Sequence, residues 1–405
     1  MASLNAHEHP RTVALHGLTT DRCHGPLVTP ICQSTTFRRP GINEPTAHQY
    51  SRVSNPTVAE LEERLGALEG APPAVCFSSG LAAETALILA LCRAGDRVIC
   101  SAAAYGGTIR LLTDIFDGFG IEGVFVDSTS PRAVAEAITD NTTLVLIETP
   151  ANPTLALTDI AAIADICKAR DVPLAVDNTF LTPVLQQPLD LGADITVTST
   201  TKLIEGHSSA TGGSVVSRNS ALLDRVRFIR KSTGAIQTPF GAFQTLQGLK
   251  TLPLRARTQS ESALIIAQAL AATSGINIVH YPGLRESPDH VLACRQHLRH
   301  HGNVVSFEVS GGRVHAEQLV QALTVCRLVE HVGSVETLVT HSASMTHGDC
   351  SVEHLDRIGV GQGLIRLSVG LEEPEVILRD LQQALEATTP AICTNEEVCP
   401  CPVLA

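Results

Sequence analysis

The chain has 405 residues, 44% of them hydrophobic and 17% charged, with 3% aromatics and no tryptophan. That apolar share excludes global disorder and supports a large core built from Ala, Leu, Ile and Val; the length suits two or three domains of roughly 100–200 residues each. A formal net charge of -12 argues against nucleic acid or an anionic membrane as the main partner, while leaving a small anionic substrate open, because site charge is local.

Residues 1–60 are rich in Pro, His, Thr and Arg, lack periodicity and read as an extended arm. Helical apolar spacing begins at residues 61–68. Short β-branched runs then alternate with helical patterns. Strands are predicted at 74–77, 97–100, 123–126, 143–147, 174–176, 195–198 and 214–216, with helices near 81–93, 107–117, 131–139 and 158–170. This alternation predicts an α/β fold: a mostly parallel seven-stranded sheet flanked by helices on both faces. Residues 220–275 look helical and lead to a smaller α+β region, with strands at 304–309 and 365–369 and helices at 317–325 and 375–387. The expected division is an arm (1–60), a large domain (61–255), a C-terminal α+β domain (256–390) and a tail (391–405).

The longest apolar run, residues 81–92, is interrupted by Glu84 and Thr85 and is too short to span a bilayer. With the polar first residues, a soluble, cytoplasmic protein is expected. Of the twelve cysteines, Cys76, Cys92, Cys100 and Cys167 lie in apolar runs and read as buried, reduced thiols. The cluster Cys393, Cys399 and Cys401 has no second Cys/His pair close by, so no metal is expected.

Candidate functional residues fall at the carboxyl ends of the predicted strands, where ligands bind in such sheets. Lys202 follows the run 194–201 and precedes the loop 205–213; Asp177 ends a neighbouring run. A lysine flanked by the hydroxyls of Ser199 and Thr201, with an aspartate on the next strand, matches the needs of pyridoxal 5'-phosphate. The amine forms the imine, the hydroxyls hold phosphate oxygens and the carboxylate keeps the ring nitrogen protonated. Ser79, Gly80 and Leu81 end one strand and open a helix, whose free N–H groups suit a phosphate; a plain Ser/Gly helix cap has the same pattern. Tyr105 sits where a ring could stack, or is a loop aromatic packed on a helix. Asn152 suits the cofactor's phenolic oxygen, or a common Asn-Pro turn. Arg366 suits a substrate carboxylate, or the surface of a strand.

The motifs YSRVSNPT at 50–57, SGLAA at 79–83, YGGT at 105–108, ETPANP at 148–153, VDNTF at 176–180, TSTTK at 198–202, GLKTL at 248–252, ASMTH at 343–347 and RLSVGLE at 366–372 appear in one order. On these motifs, residues 12–388 resemble the Cys/Met-metabolism family of pyridoxal-phosphate enzymes, of fold type I. The resemblance implies that Lys202 carries the cofactor and shuttles protons. Asp177 pairs the pyridine nitrogen, Tyr105 stacks and acts as general acid, and Asn152 touches the phenolic oxygen. Ser79, Gly80, Leu81, Ser199 and Thr201 hold the phosphate. Tyr50 and Arg52 reach it from a neighbouring subunit, making a homodimer the active unit and a homotetramer the usual assembly. Arg366, Glu330, His331 and Arg110 form the substrate side. The implied reaction is γ-replacement or γ-elimination on an amino acid of the O-acyl-homoserine or cystathionine type. The alternatives are O-acetylhomoserine sulfhydrylase, cystathionine β-lyase, or a specialised γ-substitution enzyme with a non-sulfur nucleophile.

The chain departs from the family pattern at three places. Gly107 stands where methionine γ-lyases typically carry Cys, Ser209 where an Asp is usual, and His331 where a Ser commonly helps hold the carboxylate. His331 is either a rim substitution without consequence or the mark of a nonstandard substrate or nucleophile. Glu330 matches the glutamate of cystathionine γ-enzymes, beside the distal amino group.

Overall fold

The computed structural model describes residues 9–17, 26–44, 46–348 and 352–388; the cysteine cluster at 393–401 lies outside them. The large sheet comprises β1 (Val75–Phe77), β2 (Arg97–Ser101), β3 (Glu122–Val126), β4 (Thr142–Glu148), β5 (Leu174–Asp177), β6 (Ile195–Thr198) and β7 (Gly213–Ser217), in the order β1-β7-β6-β5-β4-β2-β3. β7 runs antiparallel to both neighbours, and the remaining pairs are parallel. β4 and β6 are buried almost throughout, since helices cover both faces of the sheet; β4 carries the apolar run Leu144–Ile147, while β6 alternates Ile195 and Val197 with buried threonines. The crossover helices Gly80–Leu91, Pro131–Ala137 and Ile160–Ala169 open on Ser79, Ser130 and Asp159, whose side chains accept the first backbone N–H groups. The expected helix 107–117 is a short helix, Gly106–Arg110, continued by a π-helical turn over Leu111–Phe116.

The second sheet holds β8 (Ile276–His280), β9 (Val304–Val309), β10 (Arg327–Leu328), β11 (Leu338–His341) and β12 (Leu364–Ser368), in the order β10-β11-β12-β9-β8. Its pairs are antiparallel except β10 with β11. β9 and β12 were expected. β8 was not, because it is a partly exposed edge strand without a clean apolar pattern, and β10 is two residues long. The expected helix 317–325 is Gly312–Ala322.

The helix Pro239–Ala271 serves two cores. Ala242, Leu246, Leu249 and Leu252 pack with the helix Pro56–Leu68, while Ala263, Ile266 and Leu270 pack under the second sheet. Its 33 residues span about 50 Å, and the proposed division at 255/256 falls inside it. The arm also needs correction. Residues 56–60 are the first turn of Pro56–Leu68, because Asn55 is an N-cap followed by proline at the first helical position. Pro10–His16 is a helix whose Val13 and Ala14 join the same core. Cys76, Cys92, Cys100 and Cys167 are free and buried. Among the described residues no helix is long and apolar enough to cross a membrane.

Candidate active site

Loops leaving the carboxyl ends of β1, β2, β4, β5 and β6 meet the central strand β12 of the second sheet and the segments after β10 and β11, around a cavity of about 470 Å³. Lys202 follows β6 and lines it. Its Nζ lies 3.3 Å from His331 Nδ1. Burial, then the Arg366 charge, pull the amine down to about 8, against the opposing pull of Asp177. Asp177, the last residue of β5, also lines the cavity. Its Oδ1 accepts the Thr179 N–H at 2.8 Å, and burial raises its pKa, so a buried cation would be its natural partner.

Ser79 caps the helix Gly80–Leu91 by accepting the Ala82 N–H at 3.1 Å. The next N–H groups, of Gly80 and Leu81, belong to the first turn and have no intrahelical acceptor. A Cβ at Gly80 would lie 2.9 Å from the Ser199 Cβ, so glycine lets the helix end close onto the lysine loop. Thr201 Oγ1 accepts the Gly212 N–H at 2.9 Å and holds that loop. These N–H groups, the amine and the half-buried carboxyl fit pyridoxal phosphate: the helix end would take its anionic group and Asp177 would face its ring nitrogen.

Arg366 is a buried residue of β12, not a surface one. Nη1 donates to Asn152 Oδ1 at 2.7 Å, and Nη2 donates to Thr340 Oγ1 at 3.2 Å and to the His331 carbonyl at 3.3 Å. Its Nε is buried without a partner among the described residues. An unmatched buried guanidinium N–H calls for an anion. Burial lowers its pKa to about 10, opposed by Glu148, Glu330 and Tyr105.

Two site residues were missed. Glu148 Oε2 accepts the Tyr105 N–H at 2.6 Å, and Glu84 Oε2 accepts from Thr108 Oγ1 at 2.9 Å, so two buried carboxyls brace the segment carrying Tyr105. Burial and the nearby Asp177 push both upward, Glu84 to about 8. The signal for Glu84 was its position inside an otherwise apolar helix.

Tyr105 and Arg110 line the cavity from its exposed side, as does Glu330. Ser209 Oγ donates to Glu205 Oε1 at 2.5 Å and stands outside the lining. Tyr50 and Arg52 also stand outside it. The Arg52 guanidinium lies 5.3 Å from the Tyr50 ring centre, and its Nη1 donates to the Lys231 carbonyl.

Residues 11–386 match the model of the family described as Cys/Met metabolism PLP-dependent enzyme. The chain is 39% identical over 377 residues to the cystathionine gamma-lyase of Bacillus subtilis, covering 93% of this chain and 99% of that one. It is 41% identical over 378 residues to the cystathionine gamma-synthase of Mycobacterium tuberculosis, covering 93% and 96%. A solved structure of cystathionine gamma synthase from Xanthomonas oryzae pv. oryzae, in complex with aminoacrylate and cysteine, superposes with a TM-score of 0.90 at 38% identity, covering 94% of this chain and 99% of that one. The family match and the shared fold both cover nearly the whole chain, and the cavity chemistry agrees with them: the protein belongs to the Cys/Met-metabolism family of pyridoxal-phosphate-dependent enzymes.

Proposed function

We propose that this enzyme catalyses γ-replacement or γ-elimination on a γ-substituted L-amino acid of the O-acyl-homoserine or cystathionine type. The observation that carries the reading is the cavity itself. It brings together Arg366, whose Nε–H has no partner among the described residues, a half-buried amine, Lys202, and a half-buried carboxyl, Asp177. The named activities of its relatives, cystathionine gamma-synthase and cystathionine gamma-lyase, support it.

Bound pyridoxal phosphate supplies an electron sink for negative charge next to the substrate nitrogen. Arg366, held by Asn152, orients the substrate carboxylate. Asp177 would balance the charge on the ring nitrogen, and Ser79, Gly80, Leu81, Ser199 and Thr201 would hold the phosphate. The Lys202 amine, lowered to about 8, is partly free base near neutral pH and can take a proton from Cα and return one further along the chain. Tyr105, at the cavity wall, would stack on the ring and serve as general acid for the departing group. Arg110 and Glu330 face the distal end of the substrate from the rim.

The active unit is a homodimer, and the assembly a homotetramer. Tyr50 and Arg52 would complete the phosphate site of a neighbouring subunit. Their place outside their own cavity, with Tyr50 41% exposed, supports this. The protein works in the cytoplasm, where its buried thiols stay reduced.

The test is to incubate the holoenzyme with O-acyl-homoserines, cystathionine, homocysteine and methionine and weigh the products. 2-Oxobutyrate or a γ-adduct supports the reading. Pyruvate would move the enzyme to the β-lyases, sulfide consumption with O-acetylhomoserine to the sulfhydrylases, and no turnover of any substrate would overturn the reading.

A further inference from the structure

His331 presents its two ring nitrogens to different neighbours. Nδ1 lies 3.3 Å from Lys202 Nζ, whereas Nε2 is buried and has no partner among the described residues. Its carbonyl accepts from Arg366 Nη2 at 3.3 Å, which fixes the residue beside the carboxylate-binding guanidinium. The charged groups around the ring are Lys202, Glu205 and Arg366. Burial first, then the two cations, hold the imidazole neutral with its pKa down to about 4, Glu205 opposing. A neutral imidazole carries one ring proton. When Nδ1 accepts from the Lys202 ammonium, the proton is on Nε2, as a buried donor lacking an acceptor in a cavity-lining residue.

We propose that His331 is a proton relay between Lys202 and the departing γ-substituent. The N–H bond at Lys202 Nζ breaks as one forms at His331 Nδ1. The Nε2–H bond breaks as one forms on the leaving atom, which has taken the electron pair of its bond to Cγ. The ammonium becomes an amine, the leaving anion becomes neutral, and the imidazole ends as its other neutral tautomer. A carboxylate, a weak base, needs no such help; a thiolate, and still more an alkoxide, is more basic and leaves faster when protonated. The relay therefore points to thioether or ether substituents, an assignment that rests on the γ-chemistry proposed above.

The experiment compares the wild-type holoenzyme with His331→Phe and His331→Gln on γ-thioether and O-acyl substrates. The expected result is a fall in kcat/KM of about 10²–10⁴-fold for thioethers in both variants, with under about tenfold for O-acyl substrates. Equal losses on both substrate types overturn the relay. A second readout needs no turnover: the pH titration of the visible absorbance of the holoenzyme. Without the Nδ1 acceptor, the protonated nitrogen at position 202 loses a charge-assisted hydrogen bond, so the His331→Phe midpoint is expected to fall by about one pH unit. An unchanged midpoint overturns the relay even if the wild type turns over neither substrate, the outcome that would sink the γ-chemistry instead. His331→Gln keeps an acceptor but cannot pass a proton, and it carries the test if the phenylalanine variant does not fold.

Discussion

Arg366 Nη1 and Asn152 Oδ1 lie 2.7 Å apart although 214 residues separate them in sequence. The contact joins β12 of the second sheet to the loop after β4 of the first, so the orientation of the group proposed to bind the substrate carboxylate depends on how the two sheets dock. Arg366→Lys would keep the charge but cannot reach Asn152, Thr340 and the His331 carbonyl together. The expected outcome is a KM for the amino acid raised about 10–100-fold, the size of one or two lost charge-assisted bonds, with pyridoxal phosphate affinity unchanged. Steady-state kinetics alongside cofactor titration check it.

Gly107 leaves room for the Tyr105 ring. A Cβ there would sit 2.4 Å from Tyr105 Cε1, so Gly107→Cys forces the ring to swing. That substitution is expected to lower kcat/KM and alter the visible spectrum of the holoenzyme, without conferring methionine elimination. Gain of that activity with an unchanged spectrum would contradict the packing.

Gly80→Ala tests the anion cradle. The new methyl group would lie 2.9 Å from Ser199 Cβ and push the helix end off the lysine loop. Cofactor affinity is expected to fall about tenfold or more, since backbone N–H groups at a helix start bind phosphate only at close range. Equilibrium dialysis measures it.

Glu84 gives a pH signature. Its carboxyl rises from 4.5 to about 8 on folding, mainly through burial. The folded state therefore holds the proton more tightly. The stability this confers is fully present below about 4.5 and is lost as pH climbs through about 8. One such group contributes a slope of roughly 1.4 kcal/mol per pH unit inside that window. Glu84→Gln should flatten the fall in melting temperature between these limits. Parallel wild-type and variant curves would show that Glu84 is already ionised.

Groups close in sequence were readable from the chain. Lys202, Ser199 and Thr201 share one strand end, Ser79 and Gly80 another, and the alternation of β-branched runs with capped helices places both on the same edge of a parallel sheet. The readings that failed were those without local contrast: the helix at residues 56–60, hidden by a proline-rich neighbourhood, and the edge strand β8, whose side chains face water as often as core.

Contacts between distant segments were decided by folding. Residue spacing alone does not distinguish a buried Arg366 from a surface one, and the motifs that implied both residues on the substrate side do not give the 3.3 Å between His331 and Lys202, 129 positions apart. Periodicity and capping act over a few residues and write themselves into local order. Burial, pKa and proton-transfer partners depend on which surfaces meet, and here that meeting is set by one long helix whose apolar face belongs to both cores.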